Sequence, residues 1–398
     1  MGHDLITADP AAGRVAAMHR HGRRGLATAG GFAVAAVLAA VVPHDTGAWL
    51  PLHLFLVGTL TTAIATVTLV LAVTWSAAPA PPATALAAIR WGTAFGAVGV
   101  AVGREGQRPA LTVIGAVAVA VSLAGVAVAL VAVRMRARTT RYHPVIDGYL
   151  LAIVAVVVGV GLGAALASGG GSSATREVHL ILNVFAFVGV VIASTLPFFV
   201  ATQARMKRSP WASGGVVRVL VGAIWLAALV AAVAAGQGQR GLAAVALVAV
   251  GVGQLAIVVV LPRPGRKQWS WAGPRLIQLA AGIGWWVAAT WWFATALGAG
   301  ERGARALQAL AVAGFGQILA ASVAYLVPVV RGGGHQRLSA GFARTRSWSG
   351  LALGNLAGVT VVVGASRLTV AVLAAWVLDV LARTRAPVPG RGLTPSDP

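Results

Sequence analysis

The chain has no cysteine. Disulfides, thiolate metal sites, iron–sulfur clusters and a cysteine nucleophile are therefore excluded. Acidic residues are nearly as scarce, with nine Asp and Glu in 398 residues. Charged residues of both signs reach only 10%, against about 25% in a soluble domain. No carboxylate falls in the middle of an apolar run, where proton- or sodium-coupled carriers usually keep one. Asp147 and Asp379 lie near the ends of such runs, and Asp379 has Arg383 four residues on as a local ion partner. There is no P-loop and no supported Ser/His/Asp set, so no complete catalytic motif is legible and the reading leans away from an enzyme.

What is present is apolar sequence. Hydrophobic residues make up 58% of the chain. They gather into twelve continuous runs, roughly 26–42, 49–75, 84–103, 109–133, 146–168, 178–202, 216–235, 242–261, 276–298, 306–330, 348–365 and 368–381. About 20 apolar residues are needed to cross a bilayer as a helix. Continuous rather than alternating runs favour helices over a barrel. The expectation is an all-α polytopic transmembrane helix bundle of about twelve spans. Residues 1–25 read as a basic tail, 26–382 as one transmembrane helical domain and 383–398 as a disordered tail. A basic start before an apolar run also suits a signal peptide. Against that, no small-x-small cleavage site stands just before Pro43, and eleven further runs follow.

The net charge of +22 would suggest nucleic acid in a soluble protein. Here the positive-inside rule accounts for it. With the N-terminus inside, the inner segments hold 24 of the 31 Lys and Arg. The outer loops hold seven: Arg104, Arg108, Arg176, Arg240, Arg302, Arg305 and Arg367. Both ends are thus expected in the cytoplasm of a bacterial inner membrane, with the lipid bilayer as the main partner and no nucleic acid.

The second run contains His53-Leu-Phe-Leu and the sixth His179-Leu-Ile-Leu, 126 residues apart, and 126 more lead to Arg305 before the tenth. This spacing reads the chain as three units of four helices. The two histidines are the candidate cofactor residues. Each stands near the outer end of its helix, and histidine ligates membrane-embedded haem and copper. The alternative is an interfacial histidine bonded to a loop or headgroup. Asn183, one turn below His179, is a candidate to hold that ring or to cap a helix contact. His44 and Asp45 lie in the first outer loop. His3, His19 and His21 fall in the basic tail, and His143 and His335 in basic loops; none of these is assigned a role. Gln254, Gln278, Gln308, Gln317 and Asn355 read as interhelical hydrogen bonds. Trp285, Trp286, Trp291 and Trp292 read as bulky packing or as a wall beside a flat cofactor.

The segments Trp49-Leu-Pro-Leu-His53-Leu-Phe-Leu-Val-Gly58, His179-Leu-Ile-Leu-Asn-Val-Phe-Ala-Phe-Val-Gly189 and Gly316-Gln-Ile-Leu through Tyr325, Pro328 and Gly334 resemble the second, sixth and tenth spans of a group of bacterial twelve-span proteins. That group is the membrane portion preceding cupredoxin domains in some multicopper oxidases and copper nitrite reductases. It is more distantly similar to NnrS-type proteins and to the haem-copper oxidase large subunit. The resemblance implies three four-helix arcs, a haem or copper association at His53 and His179, and a link to nitrite or nitric oxide. It also implies a cupredoxin-type or other redox membrane partner. The sequence departs from the group at two points. No cupredoxin domain follows, and the inner end of the second run, Thr-Leu-Val-Leu-Ala-Val-Thr-Trp75, has no histidine. Three functions stay open: a redox- or haem-associated membrane protein linked to nitrogen-oxide or copper metabolism, a small-solute transporter or permease, and a non-catalytic assembly partner of a membrane complex.

Overall fold

A computed structural model describes residues 10–42, 44 and 46–385. The described residues form helices and no strand. Ten helices are long and apolar enough to span a membrane. They are α1 (Pro10–Val41), α2 (Trp49–Ser76), α3 (Ala83–Glu105) and α4 (Pro109–Met135). Next come α5 (His143–Ala167), α6 (Ser173–Gln203), α7 (Gly214–Gly236) and α8 (Arg240–Val260). α9 (Pro274–Gly298) and α10 (Ala304–Arg331) complete the ten. The shorter α11 (Trp348–Val362) and the more polar α12 (Ser366–Arg385) form a final hairpin. The protein is a polytopic all-α membrane bundle.

The first helix starts well before the expected residue 26. No proline interrupts residues 11–41, and arginine is a good helix former. Arg14 to Arg24 therefore lie on the first turns of α1, where Met18 and His21 are buried. The basic stretch thus packs into the bundle, with Gly22 against Val330 and Gly25 against Thr66. Residues 1–9 and 386–398 of the two expected tails lie outside the described residues.

The three-unit reading has a structural counterpart. α2, α6 and α10 each switch from α to the wider π-helix just after their first turns. The π segments are Leu54–Thr61, Leu182–Gly189 and Leu310–Gly316. Their starts are 128 residues apart at each step. The links after α3, α7 and α11 are three residues each, 106–108, 237–239 and 363–365. The units meet in a ring, with α4 on α5, α8 on α9 and α12 on α1. The second helix of each unit lies inward. In α6, 94% of its apolar window is buried, so protein rather than lipid surrounds it. In α2 the hydroxyls of Thr59 and Thr61 bond the carbonyls of Leu54 and Leu56, five residues back, which helps satisfy the loosened backbone.

The π register corrects the repeat. It places His53 one residue before its π segment and His179 three residues before. The two are thus two positions out of register, so the 126-residue spacing pairs residues that face differently on their helices.

Helix contact here depends on small residues, because lipid supplies no hydrophobic drive between helices. The α3–α4 pair is the clearest case. A Cβ on Gly96 would stand 2.7 Å from the Gly115 carbonyl, and one on Gly115 would stand 2.5 Å from the Val100 nitrogen. Arg90, inside the third apolar run, is buried within α3 and lies over the Trp91 ring. Two short helices, Arg266–Ala272 and Gly334–Arg344, cross the Arg-rich end of the bundle. Neither has the length of a span, and the second carries polar residues on one face.

Candidate functional site

His53 and His179 sit at the same end of the bundle, opposite the Arg-rich end, in the opening turns of α2 and α6. They lie close enough to interact electrostatically, with Arg104 also within reach of His53. The structure thus brings the two candidate histidines into one neighbourhood, on two inner helices.

Each ring is oriented by a backbone carbonyl. His53 Nδ1 is 3.0 Å from the Trp49 carbonyl, and its ring stacks on Trp49 at 3.9 Å. His179 Nδ1 is 2.8 Å from the Gly159 carbonyl of α5. A ring that donates from Nδ1 presents its Nε2 lone pair outward, the arrangement used by ligand histidines. No hydrogen bond occupies either Nε2 among the described residues.

The glycines of α5 make room for this. A Cβ on Gly163 would stand 2.8 Å from His179 Cε1, and one on Gly159 would stand 2.5 Å from Asn183 Nδ2. Gly161, between them, faces open space. Gly159 and Gly163 are therefore a seat for the α6 residues one turn apart. Asn183 donates to the His179 carbonyl at 2.6 Å and lies 3.3 Å from its Nδ1. It fills the notch at Gly159 beside the ring.

Other sequence candidates fall elsewhere. His44 closes its own turn through the Val42 and Gly47 carbonyls, at 2.7 and 2.5 Å; His3 and Asp45 are outside the described residues. Trp285 donates to Asn355, and Trp291 to the Val248 carbonyl, so these rings tie α9 to α11 and α8. Trp286 is fully buried. Asn355 also bonds Gln317, and Gln254 bonds Thr290, as amides between helices do. Asp147 accepts from Arg134 and Arg218, and Asp379 from Arg383. Among the described residues no group of three or more His, Asp or Glu gathers around a point where a metal would sit.

Two features were not legible in the sequence. His21 is buried in α1 rather than lying in a tail, and both its nitrogens lack a partner among the described residues. A crevice of about 970 Å³ runs between α1, α2, α10 and α12. Arg23, Arg331 and Thr384 border its Arg-rich end, and His44, Arg305 and Ser366 border the other. It follows the α12–α1 contact, where the ring of units closes. Pro51, Leu52 and Phe55 line it but His53 and His179 do not, so the histidines face away from this space.

The chain matches no protein-family model, and comparison with curated proteins yields no significant match.

Proposed function

We propose that the protein is a multi-pass protein of the bacterial cytoplasmic membrane, with both ends in the cytoplasm, whose His53–His179 pair serves a redox-associated role in copper or nitrogen-oxide metabolism. The observation that carries this is the shared arrangement of two imidazoles at one end of the bundle, each held at Nδ1 by a carbonyl and free at Nε2. The resemblance of the His53 and His179 segments to the membrane portions of copper enzymes points the same way. The orientation rests on the Arg-rich end.

The donor set distinguishes the two metals. Two neutral imidazoles without a carboxylate suit a single soft monovalent ion such as Cu(I), which binds imidazole well and accepts low coordination. Haem needs a slot for a broad flat ring. Neither histidine lines the large crevice, and His53 already stacks on Trp49. The pair therefore fits copper better than haem. When bound, copper would supply one-electron chemistry; the chain itself contributes the two imidazoles, their fixed orientation and a site on inner helices. A cupredoxin-type or other redox protein is the partner this role calls for.

The test is metal content of protein purified under reducing conditions with copper supplied, beside a reduced-minus-oxidised spectrum of protein expressed with haem supplied. One copper per chain, lost in His53→Ala and in His179→Ala, supports the reading. Sharp haem bands lost in the same variants replace copper by haem. Well-folded protein with neither refutes both.

A second reading, a small-solute carrier, draws on the crevice. Its volume is at the upper end of ligand pockets, about 300–1,000 Å³, and its walls are mostly apolar. Uptake of an apolar or amphipathic solute into proteoliposomes, blocked by Gly316→Leu in the crevice wall, is the result this reading requires.

A further inference from the structure

The Arg-rich end of α9 holds a buried cation with no counter-charge. Arg275 is 2% exposed. Its Nη2 reaches the Gln203 carbonyl at 3.5 Å, at the C-terminus of α6. Its Nε and Nη1 have no hydrogen-bond partner among the described residues. None of the four ion pairs formed by described residues includes it. Burying an ion without an opposite charge is among the costliest arrangements in a protein.

The surroundings add positive charge rather than removing it. Arg205 and Arg346 are both within electrostatic reach of Arg275. Arg346 donates from Nη2 to the Trp271 carbonyl, and its Nε is buried without a partner. Asp379, the carboxylate beside Ser347, is already taken by Arg383, Ser347 and Ser349. Three rings surround the Arg275 guanidinium: Trp271 at 5.2 Å, Tyr325 at 5.3 Å and Phe342 at 4.9 Å. Cation–π contacts of this kind offset part of the cost and leave N–H groups in the guanidinium plane unfilled.

Arg205 shows that the cluster is built rather than incidental. It follows the end of α6 with φ +51°, in the left-handed region. Arg205 N bonds the Thr202 carbonyl and Met206 N bonds the Ala201 carbonyl, the closing pattern whose left-handed residue is usually glycine. An arginine here carries backbone strain that glycine would avoid. What it gains is a guanidinium 4.0 Å above Trp271, facing the same rings as Arg275.

We propose that Arg275, Arg205 and Arg346, with Tyr325, form a binding site for a phosphate-type oxyanion. Guanidinium forks match such oxygens in pairs and are the usual means of holding them. The site lies under the two short helices Arg266–Ala272 and Gly334–Arg344, which contribute Trp271 and Phe342. It is distinct from His53 and His179, which stand at the other end of the bundle. The phosphate arrives either as a free ion from the aqueous phase or as the headgroup of an anionic lipid.

The test uses full-length protein purified without phosphate or sulfate. In one arm, inorganic phosphate is titrated while thermal unfolding and heat of binding are followed, in bilayer discs of phosphatidylcholine. In the other, discs with and without phosphatidylglycerol are compared. The expected result is a rise in the unfolding midpoint with one of the two probes. Arg205→Gln, at an exposed position, should weaken that response about 10-fold to 100-fold. Arg275→Lys keeps the charge but removes the fork and should weaken it similarly. If Arg275→Lys does not fold, Arg205→Gln and Arg346→Gln decide the matter. A response to phosphate in neutral discs identifies a soluble anion, and a response to phosphatidylglycerol alone identifies a headgroup. No response to either, or an unchanged response in the variants, overturns the proposal.

Discussion

Replacing Gly163 by alanine should move the His179 ring without removing it. The new Cβ would stand 2.8 Å from Cε1 and 3.1 Å from Nδ1, where ordinary contact begins at 3.4 Å. The ring must therefore withdraw by about 0.6 Å. That carries Nδ1 from 2.8 Å past the roughly 3.2 Å limit of a good hydrogen bond to the Gly159 carbonyl. An unmade bond at a buried group costs about 1–3 kcal/mol; His179 is only half-buried, so about 1–1.5 kcal/mol is the appropriate part of that range. Alanine also favours the helix by up to about 1 kcal/mol over glycine. Gly161→Ala, two residues away in open space, receives that gain alone. The two variants should thus differ by about 1–1.5 kcal/mol, with Gly163→Ala the less stable. Detergent-mixture unfolding followed by tryptophan fluorescence measures the difference, and metal content of the same samples should fall only in Gly163→Ala. Equal stabilities and equal metal content in the two variants would refute the claim that α5 seats this ring.

Further expectations follow from the same contacts. Gly115→Ala puts a Cβ against the backbone of Val100 and Gly96, which cannot swing aside, and should cost about 1–3 kcal/mol in the unfolding assay. Gly222→Ala, in open space, should cost nothing, and equal losses would count against the close α3–α4 contact. Asp147→Asn removes two ion pairs whose arginines are 40% and 47% exposed, so below about 1 kcal/mol should be lost, and less at high salt. A loss above about 2 kcal/mol would mean the carboxylate does more than pair at the surface. The chain's lack of cysteine permits single-site labelling without background. In intact spheroplasts a membrane-impermeant maleimide should label Gly170→Cys and spare Lys207→Cys; the reverse pattern inverts the orientation.

The bundle itself was legible because a bilayer imposes a strong rule: each crossing needs a long apolar helix, and ten of the twelve apolar runs become helices long and apolar enough to span. The last hairpin was hardest to read because α11 is short and α12 carries Arg367, Asp379 and Arg383. Polarity likewise hid the start of α1, whose basic turns pack against α2 and α10. The repeat was legible as two His-Leu-x-Leu segments, but its true register was not. A π segment is defined by which carbonyl each N–H reaches, and residues 54–61, 182–189 and 310–316 share no motif that announces it.

Among the candidate residues, sequence alone singled out His53, His179 and Asn183 as polar groups in an apolar setting. What holds the His179 ring and why Gly159 and Gly163 are glycine depended on α5 and α6 meeting. The Arg275 cluster was hidden more completely. Its members come from four separate stretches, around residues 203–205, 271–275, 325 and 342–346, and in the sequence each arginine counts only as one more inward-facing positive charge. Burial is what changes its meaning. A guanidinium in water is neutralised by solvent, whereas one enclosed among aromatic rings needs an anion, and only the packing of three helix ends and two short crossing helices encloses it.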